Sequence, residues 1–407
     1  MSARGRVLIA GAGIAGLATG IALRQAGFDV VVLERADDPL AAAGSALGLH
    51  PTAVLALRSL GLDGPVVEAG AEVHRWELLD WRGERIGGWP QTEVSRVFGA
   101  PSITLPRARL HQALHAATPA GQVCRGATVA GYRETGAGVE ILLADGTRES
   151  GDLLIGADGL HSAVRRQTHG DAPPRAAGFT AWRAVADQVL PGDTTVPTAR
   201  QILGTGVTFG SWPLPGGHTY WVATVSDDAK AAAGLAGRPE GSAHTATAHA
   251  LLTDVFRTAP SRAAGLIAAT PPDRVVRTPI ADRPPRAGWS TPRTLLIGDA
   301  AHPMVPTTGQ GAGQALLDAE ALGTVLRGVD LREHHALGER LRAFEEQRFP
   351  VATGAAQAAW HLGRLHHERD PEQVALRNRR LRATTEAEWL SRQGLGPASI
   401  ADSRSAG

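Results

Sequence analysis

The sequence is poor in the residues that several function classes require. Cys124 is the only cysteine among 407 residues, which excludes a disulfide framework, a cysteine-rich zinc site and a C-x-x-C redox centre. We expect its thiol to be buried and structural. No pair of histidines has the helical spacing of zinc ligands with a neighbouring acid, so we expect no metal site. The 41 Lys+Arg residues nearly balance the 40 Asp+Glu residues, which argues against nucleic acid or anionic lipid as a partner.

Long apolar segments are also scarce. The uncharged run from Val7 to Leu23 resembles a secretory signal in length, but its glycine spacing and its continuation into another apolar run favour a buried strand and helix. We therefore expect a cytoplasmic protein with no membrane span. The length of 407 residues and the 43% apolar content suffice for two packed domains, or for one domain with a large insertion.

The N-terminal segment has the pattern of a βαβ unit. We predict a strand over Arg6–Ala10, a helix over Ile14–Gln25 and a second strand over Asp29–Leu33. The first connection contains the G-x-G-x-x-G glycines, and an acid ends the second strand about twenty residues later. In this context Gly11 permits a tight turn, Gly13 lets a pyrophosphate reach the helix N-terminus and Gly16 allows close helix–strand packing. The acid, Glu34, is suited to a ribose diol, so the segment predicts dinucleotide binding.

Further along the chain, the pattern of apolar residues changes twice. Residues 107–117 have one apolar helical face, and Asp145-Gly146 marks a hairpin whose second strand is predicted to continue into residues 156–159. From Phe179 to Thr278 the segments are strand-like, aromatic and interrupted by Pro and Gly, which predicts a separate sheet carrying a pocket. A mostly helical part then begins with a helix over 314–326, and we predict one apolar helical face formed by Leu337, Leu341, Phe344 and Val351.

Two further motifs accompany the N-terminal glycines. Asp158-Gly159 and Arg165 lie in GDLLIGADGLHSAVR, and Gly298-Asp299 precede the glycine-rich loop of LLIGDAAHPMVPTTGQGAG. Glycines at the start of a helix expose backbone N–H groups to a flat or anionic ligand. In order and spacing, over about residues 6–362, the three motifs resemble the signatures of class A FAD-dependent monooxygenases, the family of the para-hydroxybenzoate, salicylate and urate hydroxylases.

The resemblance implies an α/β fold. It consists of a Rossmann-like FAD-binding domain of the glutathione-reductase type, with an inserted, mostly antiparallel substrate-binding sheet and C-terminal helices. The implied FAD-binding part is discontinuous and comprises 1–75, 100–175 and 285–330. We expect the substrate-binding part to comprise 76–99 and 176–284, the C-terminal helices 331–394, and a disordered tail 395–407.

The resemblance also implies which residues contact noncovalent FAD. Asp299 matches the acid that binds the ribityl chain, and the helix start offers N–H groups to the pyrimidine end of the isoalloxazine, where negative charge develops on reduction. Arg107 matches an FAD-contacting arginine and is preferred to Arg109, while Asp158 and Arg165 match contacts shared by FAD and NAD(P)H. The full implied set is Gly11, Gly13, Ala15, Gly16, Glu34, Arg35, Gly48, Arg107, Val129, Asp158, Arg165, Asp299, Pro306, Gly309, Gly311 and Ala312.

Substrate residues are less sharply indicated. Tyr220 resembles a pocket tyrosine of the urate and nicotinate hydroxylase branch, although tyrosines at strand ends more often pack with a bonded hydroxyl. His50 is a second candidate because an imidazole can accept a phenolic proton, although a lone histidine is more often structural. Trp182, Arg183 and Trp212 are further candidates for the wall of the cavity.

The implied reaction is oxygen insertion. NAD(P)H reduces FAD, O2 adds to form a C4a-hydroperoxide, and its distal oxygen passes to an electron-rich, aromatic-type small molecule. Hydroxylation, epoxidation and Baeyer–Villiger insertion stay open, as do a monomer and a homodimer. An oxidase or reductase of the same fold and a non-catalytic flavin-binding protein are the alternatives. The W-x-W-x-I-P signature of flavin-dependent halogenases is absent from the sequence.

Overall fold

The computed structural model describes residues 4–37, 45–188, 195–232, 249–250 and 252–395. Its strands form four sheets, of which a five-stranded and a seven-stranded one dominate the architecture. The predicted α/β fold class is confirmed. Leu395, the first residue of the expected tail, is buried, and residues 396–407 lie outside the described ranges. The domain boundaries given above stay a prediction.

The five-stranded sheet is parallel throughout, in the order β18-β12-β1-β2-β8. Its strands are β1 Arg6–Ala10, β2 Asp29–Leu33, β8 Val123–Cys124, β12 Leu153–Gly156 and β18 Thr294–Leu296. Helices cover a parallel sheet on both faces, so its strands are nearly continuous apolar runs. The predicted bounds of the βαβ unit are confirmed, since its helix α1 spans Ile14–Gln25. Cys124 on the edge strand is half-buried, so the expectation of a buried thiol was wrong.

The helices of this part pack around the same core. They are α2 Pro51–Ser59, α3 Asp63–Glu68, α5 Arg107–Ala116, α6 Ala163–His169 and α9 Gly311–Val325. Helix α9 lies against α1 so closely that a Cβ on Gly323 would stand 2.9 Å from the Cβ of Ala22. It begins three residues earlier than predicted. Two glycines, Gly311 and Gly313, are therefore in its first turn.

The predicted long strand after Asp145-Gly146 was wrong, because the structure divides it between two sheets. Strand β11 (Arg148–Gly151) pairs antiparallel with β10 (Val139–Leu143), which pairs with β9 (Val129–Glu134), whereas β12 joins the parallel sheet. Asp152 fixes the change of direction. Its carboxylate accepts from the Arg6 N–H at 2.7 Å, and its own N–H donates to the Arg6 carbonyl at 2.8 Å.

The seven-stranded sheet has the order β17-β13-β16-β15-β14-β5-β6 and is antiparallel except between β14 and β5. Its strands are β5 Arg75–Asp80, β6 Arg85–Pro90, β13 Arg175–Ala186, β14 Thr198–Leu203, β15 Val207–Leu214, β16 His218–Ser226 and β17 Val276–Asp282. One face carries its own apolar core, which includes Phe209, Trp221 and Phe256. Helices α4 Gln91–Phe98, α7 Asp227–Ala232 and α8 Ser261–Ala269 accompany it.

A small antiparallel sheet, whose strands flank β5 and β6 in the sequence, carries part of the site. It consists of β3 Ala46–Leu49, β4 Ala71–Glu72 and β7 Ile103–Pro106, in the order β3-β7-β4.

The C-terminal helices are α10 His334–His366, α11 Pro371–Ala383 and α12 Glu386–Arg392. On α10, Leu337, Leu341 and Phe344 are fully buried, as predicted, but Val351 is 51% exposed. The buried stripe continues through Arg348 and Ala352, and Val351 lies about 100° away around the helix. Across the described ranges, the helices include none with both the length and the hydropathy of a membrane span.

Candidate active site

The glycine loop between β1 and α1 is shaped by two steric requirements. Gly11 has φ +102°, and a Cβ there would lie 2.6 Å from the carbonyl oxygen of Ala157. A Cβ on Gly16 would lie 1.9 Å from the carbonyl oxygen of Gly11, so only glycine lets α1 start this close to the strand. A Cβ on Gly13 would meet nothing within 4 Å. The space over Gly13, at the positive end of α1, is therefore open to a ligand.

Glu34 at the end of β2 holds this loop. One carboxylate oxygen accepts from the Ala12 N–H at 2.7 Å and the other from the Ala36 N–H at 2.9 Å. Each oxygen keeps a further lone pair, so a ribose diol can still be bound. The neighbouring Arg35 is exposed. The Glu34 carbonyl accepts from the Ala127 N–H at 2.8 Å, which brings the chain just before Val129 to the same end of the sheet.

Asp158 follows β12, directly beside the glycine loop. Its Oδ2 accepts from the Ala163 N–H at 2.7 Å at the start of α6, while Oδ1 is buried and has no hydrogen-bond partner among the described residues. Burial raises the pKa of Asp158 above its ordinary value, although hydrogen bonds to Ser162 and to backbone N–H groups oppose this. A buried oxygen without a partner is costly, so this position suits a ligand that supplies a donor.

Arg165 on α6 lies among other arginines. Burial, followed by the charges of Arg283 and Arg286, lowers its pKa. Arg283 donates to the carbonyls of Leu160, at 3.0 Å, and Ala172, while Arg286 donates to that of His169 at 2.9 Å. Three positive groups therefore meet around α6 and the Leu160 carbonyl, an arrangement that attracts an anionic group.

Asp299 and Arg107 come together across the site. Asp299 follows β18 and its surface is exposed, but the protein atoms around it are dense enough to desolvate its carboxylate. Desolvation raises the pKa of Asp299, and the charges of His302 and Arg107 oppose the shift. Arg107, the exposed first residue of α5, thus lies within electrostatic range of Asp299. Ala15 on α1 packs against the same turn, since a Cβ on Gly298 would stand 2.8 Å from its methyl group.

The loop before α9 leads into a helix that packs against the turn of Asp299, since a Cβ on Gly298 would lie 3.7 Å from the Cβ of Ala315. Pro306 begins a 3-10 turn that ends at Gly309, whose φ of +67° requires the left-handed conformation. Gly311 and Ala312 then form the first turn of α9, where N–H groups have no partner within the helix. Both are half-buried, and a Cβ on Gly311 would meet only Met304, at 3.9 Å. The helix dipole and these donors favour negative charge in front of them.

A buried ionic network connects the turn that carries Asp299 with helices α9 and α10. Asp318 on α9 is fully buried and accepts from the Gly298 N–H at 2.9 Å, from His302 at 2.6 Å and from Arg348 Nε of α10 at 2.8 Å. Burial alone would raise the pKa of Asp318, but His302, Arg348 and the Gly298 N–H together lower it. The network thereby ties the turn that carries Asp299 to the helix start.

Tyr220 lies on the other side of the site, on β16. It is 7% exposed, and its hydroxyl oxygen accepts hydrogen bonds from Arg183 and from the backbone N–H of Ala46 in β3. Desolvation raises the pKa of Tyr220, while the charge of Arg183 and these hydrogen bonds oppose the shift. The hydroxyl therefore stays protonated at neutral pH. The contact with Ala46 places Tyr220 beside β3, which also carries the exposed Gly48.

His50 caps helix α2. Its Nδ1 accepts from the Thr52 N–H at 3.4 Å and lies 3.0 Å from the Thr52 hydroxyl, and its ring packs edge-on against Phe98. Burial lowers the pKa of His50 to about 4, so the ring is neutral at physiological pH. A neutral ring that accepts at Nδ1 carries its proton on Nε2. These contacts favour a capping role for His50. Its role as a catalytic base stays a prediction.

Three further residues were predicted to line the cavity, and the structure separates them. Arg183 and Trp212 are half-buried, and Trp212 lies directly opposite Tyr220 with its ring 5.7 Å away. Trp182 is 2% exposed and belongs to the apolar core on the opposite face. The prediction for Trp182 was wrong because successive strand residues point to opposite faces of a sheet.

The ionic network around Asp318 was not predicted from the sequence. An acid inside the apolar run of α9 was a usable signal, because a buried charge requires partners. Its partners His302 and Arg348 could not be named in advance, since Arg348 lies 30 residues further along on another helix.

Comparisons with known proteins agree with this arrangement. The family described as the FAD binding domain matches residues 4–359. The chain is 41% identical to the aurachin C monooxygenase/isomerase of Stigmatella aurantiaca over 320 residues, which cover 79% of this chain and 80% of that one. It is 33% identical to the 3-amino-4-hydroxybenzoate 2-monooxygenase of Streptomyces cremeus, covering 95% and 94% of the two chains. The solved structure of Klebsiella pneumoniae HpxO complexed with FAD and uric acid superposes with a TM-score of 0.84 at 28% identity, over 95% of both chains.

Proposed function

The chain belongs to the FAD-binding family of flavin-dependent monooxygenases, and we propose that it hydroxylates a planar, electron-rich aromatic compound held against Tyr220. The observation that best supports this proposal is the position of the Tyr220 hydroxyl. Arg183 and the Ala46 amide hold it by hydrogen bonds, and the half-buried ring of Trp212 lies beside the Tyr220 ring. The strands that build this place belong to two sheets, since β3 is in the small sheet and β13, β15 and β16 are in the seven-stranded sheet.

The residues of the cofactor side fit an FAD molecule. The open space over Gly13, at the N-terminus of α1, suits its pyrophosphate, and Glu34 suits the adenosine ribose. The buried, unpartnered Oδ1 of Asp158 suits a hydroxyl group of the ligand, because a hydroxyl can donate to it. Asp299 suits the ribityl hydroxyls, and the N–H groups of Gly311 and Ala312 suit the pyrimidine end of the ring. When bound, FAD would accept a hydride from NAD(P)H and activate O2 for transfer of one oxygen atom.

The protein's part in this chemistry is electrostatic. With FAD bound, the N-terminus of α9 would offer positive potential to the negative charge that develops on the reduced flavin, and Gly311 would present no side chain there. Arg107 adds positive charge near Asp299. The Asp318 network fixes the distance between the turn of Asp299 and this helix start. A preformed arrangement of this kind needs no reorganisation during the reaction.

Tyr220 and Arg183 would orient the substrate. A phenol that stays protonated can donate to a substrate oxygen, and the nearby guanidinium favours an oxygen that carries or gains negative charge. Among the relatives, one acts on 3-amino-4-hydroxybenzoate and another structure holds uric acid, both planar and rich in such oxygens. Epoxidation remains the second candidate, since zeaxanthin epoxidases are 30% identical to the chain.

We propose that NAD(P)H binds transiently near Asp158. The cluster of Arg165, Arg283 and Arg286 offers positive charge for its phosphates, and Arg286 is exposed. The choice of NADH or NADPH, the cytoplasmic location and the monomeric or homodimeric state stay predictions.

The test is a screen of aromatic acids, phenols and fused heteroaromatic hydroxy compounds for stimulated NAD(P)H oxidation by the FAD-loaded protein. We expect stimulation by at least one planar compound and a product heavier by one oxygen atom. Stimulation with no oxygen incorporated would instead favour an oxidase or reductase. A protein that binds no FAD would contradict the assignment of the cofactor side.

A further inference from the structure

The chain is poor in aromatic residues, with nine Trp, two Tyr and seven Phe, yet five of them form one unbroken line. This aromatic row consists of Tyr220, Trp212, Trp76, Trp89 and Trp389. Successive ring centroids are separated by 5.7, 6.0, 5.6 and 5.5 Å. The row begins at the proposed substrate position and ends on helix α12.

The register of the seven-stranded sheet produces this line. Tyr220 pairs with Trp212, Ala199 pairs with Trp76, and Trp76 pairs with Trp89, so the side chains share one face. The small side chain of Ala199 lies between two tryptophans and lets their rings meet. Two glycines make room as well. A Cβ on Gly210 would lie 2.3 Å from the ring of Trp212, and one on Gly87 would lie 2.8 Å from that of Trp389.

Packing in an apolar core accounts for the two tryptophans at the α12 end of the row but not for the two in its middle. Trp89 and Trp389 are 8% exposed and belong to an apolar cluster with Leu78 and Ile86. Trp212 and Trp76 are only half-buried, and they connect this cluster to Tyr220. Indole is also the side chain that gives up an electron most readily, and electrons pass quickly between aromatic rings in van der Waals contact.

We propose that the aromatic row conducts electrons towards the substrate pocket, so that a one-electron oxidant formed there is quenched before it damages the site. The proposal rests on the proposed function for the presence of activated oxygen beside Tyr220. An oxygen-centred radical in the pocket takes one electron from Trp212 and one proton from solvent water, which leaves an indole radical cation on Trp212. Trp76 and then Trp89 refill it in turn, and a small reductant such as ascorbate finally supplies the electron.

The surroundings of each ring determine where the positive charge rests. Oxidation of Tyr220 is unfavourable, because both groups hydrogen-bonded to its oxygen are donors and neither can accept the phenolic proton. Trp389 is disfavoured because the Arg392 guanidinium lies 4.8 Å over its ring. Trp89 is favoured because its Nε1–H donates to Gln91 at 2.6 Å, and because its ring stacks on that of Trp76 with an interplanar angle of 20°.

The test uses the FAD-loaded protein and a light pulse, since the excited oxidised flavin is a one-electron oxidant of nearby aromatic rings. Transient absorption would follow the lifetime of the indole radical, and steady illumination with ascorbate would give the rate of flavin photoreduction. The variants are Trp89→Phe and Trp76→Phe, which keep an aromatic ring but remove the readily oxidised indole. The control is Trp221→Phe, in the core on the opposite sheet face, and flavin absorbance and circular dichroism would check each protein.

We expect the radical lifetime to fall severalfold in Trp89→Phe and further in Trp76→Phe, because the charge stays closer to the flavin and recombines sooner. Photoreduction should slow in the same order, and Trp221→Phe should match wild type. Equal lifetimes in wild type and both row variants would overturn the proposal, as would an equal loss in Trp221→Phe. Substrate-stimulated NAD(P)H oxidation, measured on the same samples, would separately reveal a failure of the proposed function.

Discussion

The two large sheets contribute to the site with different parts of the polypeptide. Around the five-stranded parallel sheet, the cofactor side is built mainly from backbone: the loop at Gly11 and Gly13, the turn at Gly298 and the start of α9. On the seven-stranded sheet, the substrate side is built from side chains such as Tyr220, Arg183 and Trp212. A cofactor shared by many relatives can be held by backbone, whereas the choice of substrate depends on side chains that can vary without altering the fold.

This difference predicts that cofactor-side variants change FAD content, whereas substrate-side variants change the use of NAD(P)H at constant FAD content. The predictions below test that separation, beginning with the largest expected effect.

The largest effect is expected for Gly16→Val. Its Cβ would stand 1.9 Å from the Gly11 carbonyl oxygen, so α1 must move away from β1. We expect the free energy of unfolding to fall by about 4–5 kcal/mol, as for the most damaging substitutions in protein cores. The variant should also bind no FAD. Gly13→Ala is the matched control, because a Cβ there meets nothing within 4 Å. It should unfold like wild type without FAD but bind FAD more weakly. Thermal unfolding with and without FAD distinguishes the two, and similar behaviour of both variants would refute the steric argument.

The next effect concerns the buried network. Asp318→Asn leaves Arg348 buried beside an uncharged partner, which should cost about 3–4 kcal/mol of stability. Because the pKa of Asp318 is lowered in the fold, its contribution is present above the ordinary Asp pKa and is lost as pH falls through the lowered value. In denaturant titrations, the free energy of unfolding of wild type should therefore fall at acid pH by more than that of Asp318→Asn. Parallel pH profiles for the two proteins would contradict this.

A smaller effect is expected for Asp299→Ala, which removes a charged acceptor for FAD. Binding should weaken by about 1.5–3 kcal/mol, or roughly tenfold to a hundredfold. Glu34→Ala should weaken it less. Flavin absorbance per protein measures both, and full FAD retention by Asp299→Ala would remove this residue from the site.

Asp299→Ala should weaken FAD binding but stabilise the fold of the FAD-free protein. The pKa of Asp299 is raised, so ionising it above that pKa costs folding stability, and the cost disappears below the ordinary Asp pKa. Asp299→Ala without FAD should therefore have a higher Tm than wild type at neutral pH but not at low pH. A lower Tm at neutral pH would show that Asp299 stabilises the fold itself.

The smallest effect is expected on the substrate side. Tyr220→Phe removes one neutral hydrogen bond to the substrate, about 0.5–1.5 kcal/mol, so the hydroxylated product per NAD(P)H oxidised should fall roughly twofold to tenfold. FAD content and flavin reduction should not change. An unchanged ratio would identify Tyr220 as a packing residue and favour His50 or Arg183 instead.

The cofactor side could be predicted from the sequence because its requirements are local. A tight turn at Gly11, a contact at Gly16 and an acid at the end of β2 all lie within one βαβ unit. Tyr220 and Arg183 were named as candidates for the substrate side, but their arrangement could not be predicted. They meet Ala46 only through the register of the sheet and its contact with β3. Trp182 illustrates the limit, since a shift of one residue decides between the cleft and the core.

The most direct test of the central claim is the fate of molecular oxygen. Wild-type protein loaded with FAD would be supplied with NAD(P)H, heavy-isotope O2 and the best aromatic compound from the screen, and the product would be weighed by mass spectrometry. We expect one heavy oxygen atom in the aromatic product, and less of the same product from Tyr220→Phe at equal FAD content. A product without the heavy atom, or NAD(P)H oxidation that no aromatic compound stimulates, would contradict it.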